Sequence, residues 1–273
     1  MNRITHTVRQ LRAAGEGAFM PFLVIGDPDL ETSHRLVDAL VEAGADILEF
    51  GFPFSDPPAD GPVIQAADHR ALRAGVTPEG AFEFLAQVQA RHDIPVALLI
   101  YYNLVLQYGV DAFYARAKGC GVDGILVADV PLEEARPCVR AARSADVAAV
   151  FIATPLTTDE RLAALGDVGG GYLYAVTRVG ITGEQTDVDA GLADALARYR
   201  AATSLPVLAG FGISTPAHVR RVLDAGADGV ICGSALIRRI EDHLGHPQEM
   251  VAAIYQLAAA LKAATISEES PPC

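Results

Sequence analysis

Residues 47–62 read Ile-Leu-Glu-Phe-Gly-Phe-Pro-Phe-Ser-Asp-Pro-Pro-Ala-Asp-Gly-Pro, which sets Glu49 inside an apolar run and Asp56 and Asp60 in the proline-stiffened stretch behind it. Such a run is normally a buried strand, where an unpaired carboxylate is costly and burial favours its protonated form. Glu49 is therefore expected to titrate high and to be suited to moving protons. Asp60 alone, before Gly61, would read as an ordinary turn aspartate. Beside Glu49 it completes a two-carboxylate site, in which one group handles a carbon proton and the other a nitrogen or oxygen proton.

A second kind of chemistry is written in glycine. Gly210-Phe211-Gly212-Ile213-Ser214-Thr215-Pro216 and Gly233-Ser234-Ala235 each follow a short apolar segment near the end of the chain. Glycine lets backbone amides approach an anion closely, Thr215-Pro216 reads as a helix N-cap and first helical residue, and Ser234 adds a hydroxyl donor. These loops predict a phosphate site. A third loop, Arg178 to Thr186, is long and polar, and Thr182 with Gly183 is placed either to close over a ligand or to serve only as a connector.

Positioning these groups requires strands that end where the loops begin. Eight short apolar segments, 19–25, 46–50, 95–101, 124–128, 147–153, 172–177, 206–209 and 229–232, alternate with stretches of helical period such as Leu36, Val37, Leu40 and Val41. Most are too continuously apolar for a half-solvated antiparallel sheet, so parallel βα units follow. Ala43-Gly44-Ala45-Asp46, Gly121-Val122-Asp123-Gly124 and Ala225-Gly226-Ala227-Asp228 echo one another as helix-to-strand corners. The expectation is one α/β domain over residues 1–263, a closed (β/α)8 TIM barrel with an extra N-terminal helix, against the alternative of a doubly wound open sheet. Glycine loops in the last two units match the usual phosphate position of the barrel and favour it. Residues 264–273 carry little apolar surface and are expected to fray.

Composition narrows the function further. A net charge of -13 with no basic patch argues against nucleic acid. No apolar run approaches the roughly 20 residues of a membrane span and the N-terminus lacks a signal-type segment, so no membrane association and a cytoplasmic location are expected. Cys120, Cys138, Cys232 and Cys273 lack metal or disulfide spacing, and His243 with His246 lacks a third ligand, so no metal site is expected.

Taken in order, these segments resemble the tryptophan synthase alpha subunit family over nearly the whole chain. The resemblance runs from Met20-Pro21-Phe22 and Gly26-Asp27-Pro28 through the Glu49 to Gln65 block, Tyr102-Asn103 and Val127-Ala128-Asp129-Val130-Pro131 to Gly171-Tyr172-Leu173-Tyr174, Gly180-Ile181-Thr182-Gly183 and the two late glycine loops. Its most specific part is Pro-Phe-Ser-Asp-Pro followed by Ala-Asp-Gly-Pro. The resemblance implies a lyase that splits indole-3-glycerol phosphate into indole and glyceraldehyde 3-phosphate by retro-aldol chemistry, with no cofactor in this chain. Glu49 would be the proton-transfer group and Asp60 would stabilise the indolic N–H. Tyr174 would orient substrate, Gly183, Gly212, Gly233 and Ser234 would hold phosphate, Thr182 would position Asp60, and Phe22 with Phe211 would contact indole. A β subunit carrying pyridoxal phosphate would be the partner, in a heterotetramer of two α and two β chains, with Asp56, Asn103 and Pro131 near the contact.

Phe52, Pro58 and Leu104 depart from the usual pattern of the family, and Pro57-Pro58 should stiffen the loop between Asp56 and Asp60. Two other readings keep the same residues: a stand-alone indole-forming lyase, and a barrel whose main role is to activate a partner. A Schiff-base aldolase is disfavoured, because no strand-borne lysine is placed for it.

Overall fold

The computed structural model describes residues 2–176, 188–210 and 212–266. Strands β1 (Ala18–Val24), β2 (Leu48–Gly51), β3 (Val96–Ile100), β4 (Val122–Val127), β5 (Ala148–Ala153), β6 (Leu173–Val176), β7 (Val207–Gly210) and β8 (Gly229–Cys232) pair in sequence order, all parallel, and β8 closes on β1. The eight segments read from the sequence are these strands, displaced by at most a few residues at their ends. The barrel, not the open sheet, is the fold.

Helices surround it: α1 (Arg3–Ala13), α2 (Leu30–Glu42), α3 (Pro62–Arg73), α4 (Pro78–Arg91), α5 (Tyr102–Tyr108), α6 (Val110–Gly119), α7 (Arg136–Ser144), α8 (Asp159–Val168), α9 (Val188–Ala202), α10 (Pro216–Asp224), α11 (Ser234–Asp242) and α12 (Pro247–Ala263). Most present one apolar stripe inward, as α2 does with Leu36, Val37 and Leu40. Helix α1 is the expected extra element. It closes the N-terminal end of the barrel, with Ile4 and Val8 packed on the inward residues Ala18, Met20 and Tyr172. Thr5 donates to the Gly171 carbonyl at 2.7 Å and Asn2 to that of Asp123 at 2.7 Å.

The three echoed corners share one device. Gly44, Gly121 and Gly226 take φ of 93°, 81° and 104°, values that glycine adopts without strain. Asp46, Asp123 and Asp228 then accept the backbone N–H of Phe19, Val96 and Val207 at 2.8, 3.1 and 2.9 Å, tying each corner to the start of the preceding strand. At the other terminus, the fraying expected from Ala264 is corrected: Thr265 is buried, its carbonyl accepts the Gly17 N–H, and Ile266 bridges to Glu16. Residues 267–273, Cys273 among them, lie outside the described residues.

Candidate active site

Alternation along the strands decides which side chains enter the barrel. Register sets Glu49 beside Phe22 of β1 and Ala97 of β3. Both Glu49 and Phe22 point inward, and with Leu99, Ala128, Ile152, Tyr174 and Ile231 they floor a cavity of about 590 Å³ at the C-terminal ends of the strands. Backbone close to the floor must lack side chains. A Cβ on Gly210 would lie 2.2 Å from the Tyr174 hydroxyl, and one on Gly51 would lie 2.9 Å from the Phe22 ring.

Glu49 is 1% exposed and accepts the Tyr172 hydroxyl at 2.8 Å. Burial pushes its carboxyl up to about 7, against the Tyr172 hydrogen bond, and the nearby Asp60 charge pushes the same way. Both protonation states are thus accessible near neutral pH, which suits a group that must give and take a proton. Asp60, on the loop between β2 and α3, accepts the Tyr101 hydroxyl at 2.7 Å, and burial raises it as well. The Phe54 ring stacks on Tyr101, with centroids 5.4 Å apart. Phe52, one of the departures from the family pattern, packs edge-on against Phe82 beneath the same loop.

The same cavity is lined by Gly212, Ile213 and Ser214 after β7, and by Gly233, Ser234 and Ala235 after β8. Thr215 caps α10 through its hydroxyl, as its sequence predicts. Helix α11, in contrast, starts at Gly233 without a side-chain cap, so the first amides of the helix face the cavity without intrahelical acceptors. Such a terminus attracts an anion by geometry and by the partial positive charge of the helix. Arg238, one turn along α11, lines the same cavity.

The structure thus brings Glu49, Asp60, Phe22, Tyr174, Gly212, Gly233 and Ser234 around one cavity. Thr182, Gly183 and Phe211 lie outside the described residues. Asp56, Asn103 and Pro131 do not line the cavity; all three are exposed on segments after β2, β3 and β4, at the same end of the barrel. Asp129 joins two of these segments by accepting the Tyr102 N–H at 2.8 Å. Sequence reading missed Tyr172, Tyr101 and Arg238. Tyr172 was recoverable, because it stands two residues before Tyr174 and shares its face, and Arg238 stands four after Ser234 on one helix. Tyr101 left no such signal.

Among the described residues no cluster of His, Cys, Asp or Glu is arranged to hold a metal, and no helix is long and apolar enough to cross a membrane. Fold and mouth together define the class, a (β/α)8-barrel enzyme. The family profile described as tryptophan synthase alpha chain matches residues 8–266. The tryptophan synthase alpha chain of Methanothermobacter thermautotrophicus is 50% identical over 253 residues, covering 93% of this chain and 94% of the relative. That of Shewanella oneidensis is 47% identical over 257 residues, covering 94% and 92%. The crystal structure of tryptophan synthase subunit alpha from Legionella pneumophila superposes with a TM-score of 0.89 at 34% identity, covering 97% of this chain and 98% of that one. A chain of tryptophan synthase from M. tuberculosis, in an aminoacrylate- and BRD0059-bound form, superposes at 0.86 with 30% identity over 97% of this chain and 99% of its own. This chain belongs to the tryptophan synthase alpha chain family, whose members are lyase-type enzymes of tryptophan biosynthesis.

Proposed function

We propose that the chain cleaves indole-3-glycerol phosphate to indole and glyceraldehyde 3-phosphate, as the α subunit of a tryptophan synthase. The observation that carries the reading is Glu49: a buried carboxyl raised to about 7, facing a cavity that is also lined by a helix N-terminus open to an anion. The phosphate would rest on the amides of Gly212, Gly233 and Ser234, with Arg238 at its rim and Gly183 completing the cradle. The indole ring would lie over Phe22, Leu99 and Ile152, its N–H toward Asp60, with Tyr174 orienting the glycerol chain.

The reaction then balances on one carboxyl. Protonated Glu49 delivers its proton to C3 of the indole, and positive charge develops at the ring nitrogen, where the Asp60 carboxylate stabilises it. Glu49, now ionised, accepts the proton of the hydroxyl on the adjacent carbon. The carbon–carbon bond breaks, its electron pair returns to the ring, and an aldehyde leaves. Glu49 ends as it began.

The proposed partner is a β subunit that holds pyridoxal phosphate and docks on the rim at Asp56, Asn103 and Pro131, two copies of each chain forming the assembly. Support for keeping the cofactor in the partner comes from the two lysines of this chain: Lys118 pairs with Asp146 at 3.1 Å and Lys262 with Asp46 at 2.9 Å, both away from the cavity. The test is to incubate the purified chain with indole-3-glycerol phosphate and follow indole release, alone and with a β subunit. Slow release alone and acceleration by the partner are expected. No indole in either case would sink the proposal, and full speed alone would favour the stand-alone lyase.

A further inference from the structure

Helix α3 turns a second carboxyl, Asp68, into the interior beneath the loop that carries Asp60, where it is 3% exposed. Asp68 does not line the cavity, so it cannot act on a ligand directly. Its Oδ1 accepts the Phe54 N–H at 3.4 Å, and its Oδ2 is buried with no hydrogen-bond partner. The groups that face it are acidic: Asp60 from the loop, Asp27 from the connection after β1, and the Tyr101 hydroxyl after β3. The cation that follows it on α3 is already committed. Arg70, two residues along α3, forks onto Asp27 at 2.6 and 2.9 Å, and Glu241 of α11 lies 3.8 Å from the same guanidinium. Among the described residues Asp68 therefore has no ion-pair partner.

Two neighbouring carboxyls without a cation cannot both ionise cheaply. Asp60 is half-buried and receives a 2.7 Å hydroxyl bond, whereas Asp68 is buried and receives one long backbone bond, well beyond the length of charge-assisted ones. The charge settles on Asp60 and the proton on Asp68. We infer that Asp68 is a positioning residue, a protonated carboxyl that anchors the Asp60 loop through Phe54 and leaves Asp60 as the ionised member of the pair.

The anchor is linked to Asp60 by contact, since Phe54 stacks on Tyr101 and Tyr101 donates to Asp60. Burial, with the Asp60 charge second, pushes Asp68 up to about 8, so its proton is held through neutral pH and released just above it. Ionisation would set a second charge behind Asp60 and loosen the loop. The role given to Asp60 is that of the proposed lyase reaction, but the protonation of Asp68 is measurable without turnover.

The experiment is an infrared pH titration of the carboxylic-acid band in full-length protein, comparing Glu49→Gln with Glu49→Gln/Asp68→Asn. A band that titrates away with a midpoint near 8 in the first and is missing from the second is expected. Its absence from both, or its presence in both, would overturn the inference whether or not the lyase reading stands. In turnover, ionisation of Glu49 already lowers kcat/KM above about pH 7, and Asp68 adds a second step near 8. Asp68→Asn keeps the acceptor for Phe54 and should remove the second step alone, so that the alkaline limb falls with the slope of one proton instead of two. Asp68→Ala drops the anchor and should lower kcat about tenfold at neutral pH, because a displaced Asp60 stabilises the transition state less well. Equal losses in the two variants, or an alkaline limb in Asp68→Asn that keeps the two-proton slope, would reduce Asp68 to packing and overturn its role.

Discussion

The two ends of this barrel use acidic side chains under opposite rules. At the N-terminal end Asp46, Asp123 and Asp228 each accept a backbone N–H and each face a cation: Lys262 at 2.9 Å, Arg3 at 3.5 Å and Arg12 at 3.2 Å. At the mouth, Glu49 and Asp60 accept only tyrosine hydroxyls, from Tyr172 and Tyr101, and neither has a cation among the described residues. Burial raises the Asp46 carboxyl too, but the Lys262 ammonium and the Phe19 amide pull it back. Nothing comparable restrains Glu49. One end gives its carboxylates cations and amides and uses them to hold strands to helices; the other leaves its carboxyls with tyrosine hydroxyls alone, so that a proton can come and go.

The comparison can be broken from either side. The largest effect is expected for Glu49→Gln, which keeps an acceptor for Tyr172 but has no proton to move: kcat for indole release should fall by about a thousandfold. Asp60→Asn removes the charge at the ring nitrogen and should cost about a hundredfold in kcat, measured in the same assay. At the opposite end Asp123→Ala leaves the Val96 amide without its acceptor. Urea unfolding should register a loss of about 1–3 kcal/mol, while kcat stays within about twofold. A strong loss of turnover in Asp123→Ala would dissolve the division of labour between the ends.

Much of this was legible in the residues. The eight strands could be found because most are buried on both faces and therefore read as nearly continuous apolar runs, and the corner glycines and aspartates repeat with the fold. Glu49 stood out because it interrupts such a run, and the phosphate loops because glycine clusters at strand ends. Tyr172 did not, since a tyrosine in an apolar strand looks like packing until its hydroxyl is found on Glu49. The Tyr101–Asp60 bond joins residues 41 apart, a pairing that only the alignment of β3 beside β2 creates. Asp68 was hidden for a related reason: beside His69 and Arg70 it reads as part of a solvated helix face.

The central claim is that the mouth holds Glu49 against its preference for water, and the unfolding free energy of wild type and Glu49→Gln, followed from acid to alkaline pH, tests it most directly. In the native chain the carboxyl titrates at about 7, against an ordinary value of 4.5, so between these the folded state keeps a proton that the unfolded state has lost. Stability of the wild type must then fall as pH rises through that window, while the variant has no such group to titrate. The variant should match the wild type near pH 4.5 and exceed it by about 3 kcal/mol above pH 7. A stability difference that does not change with pH would contradict the account.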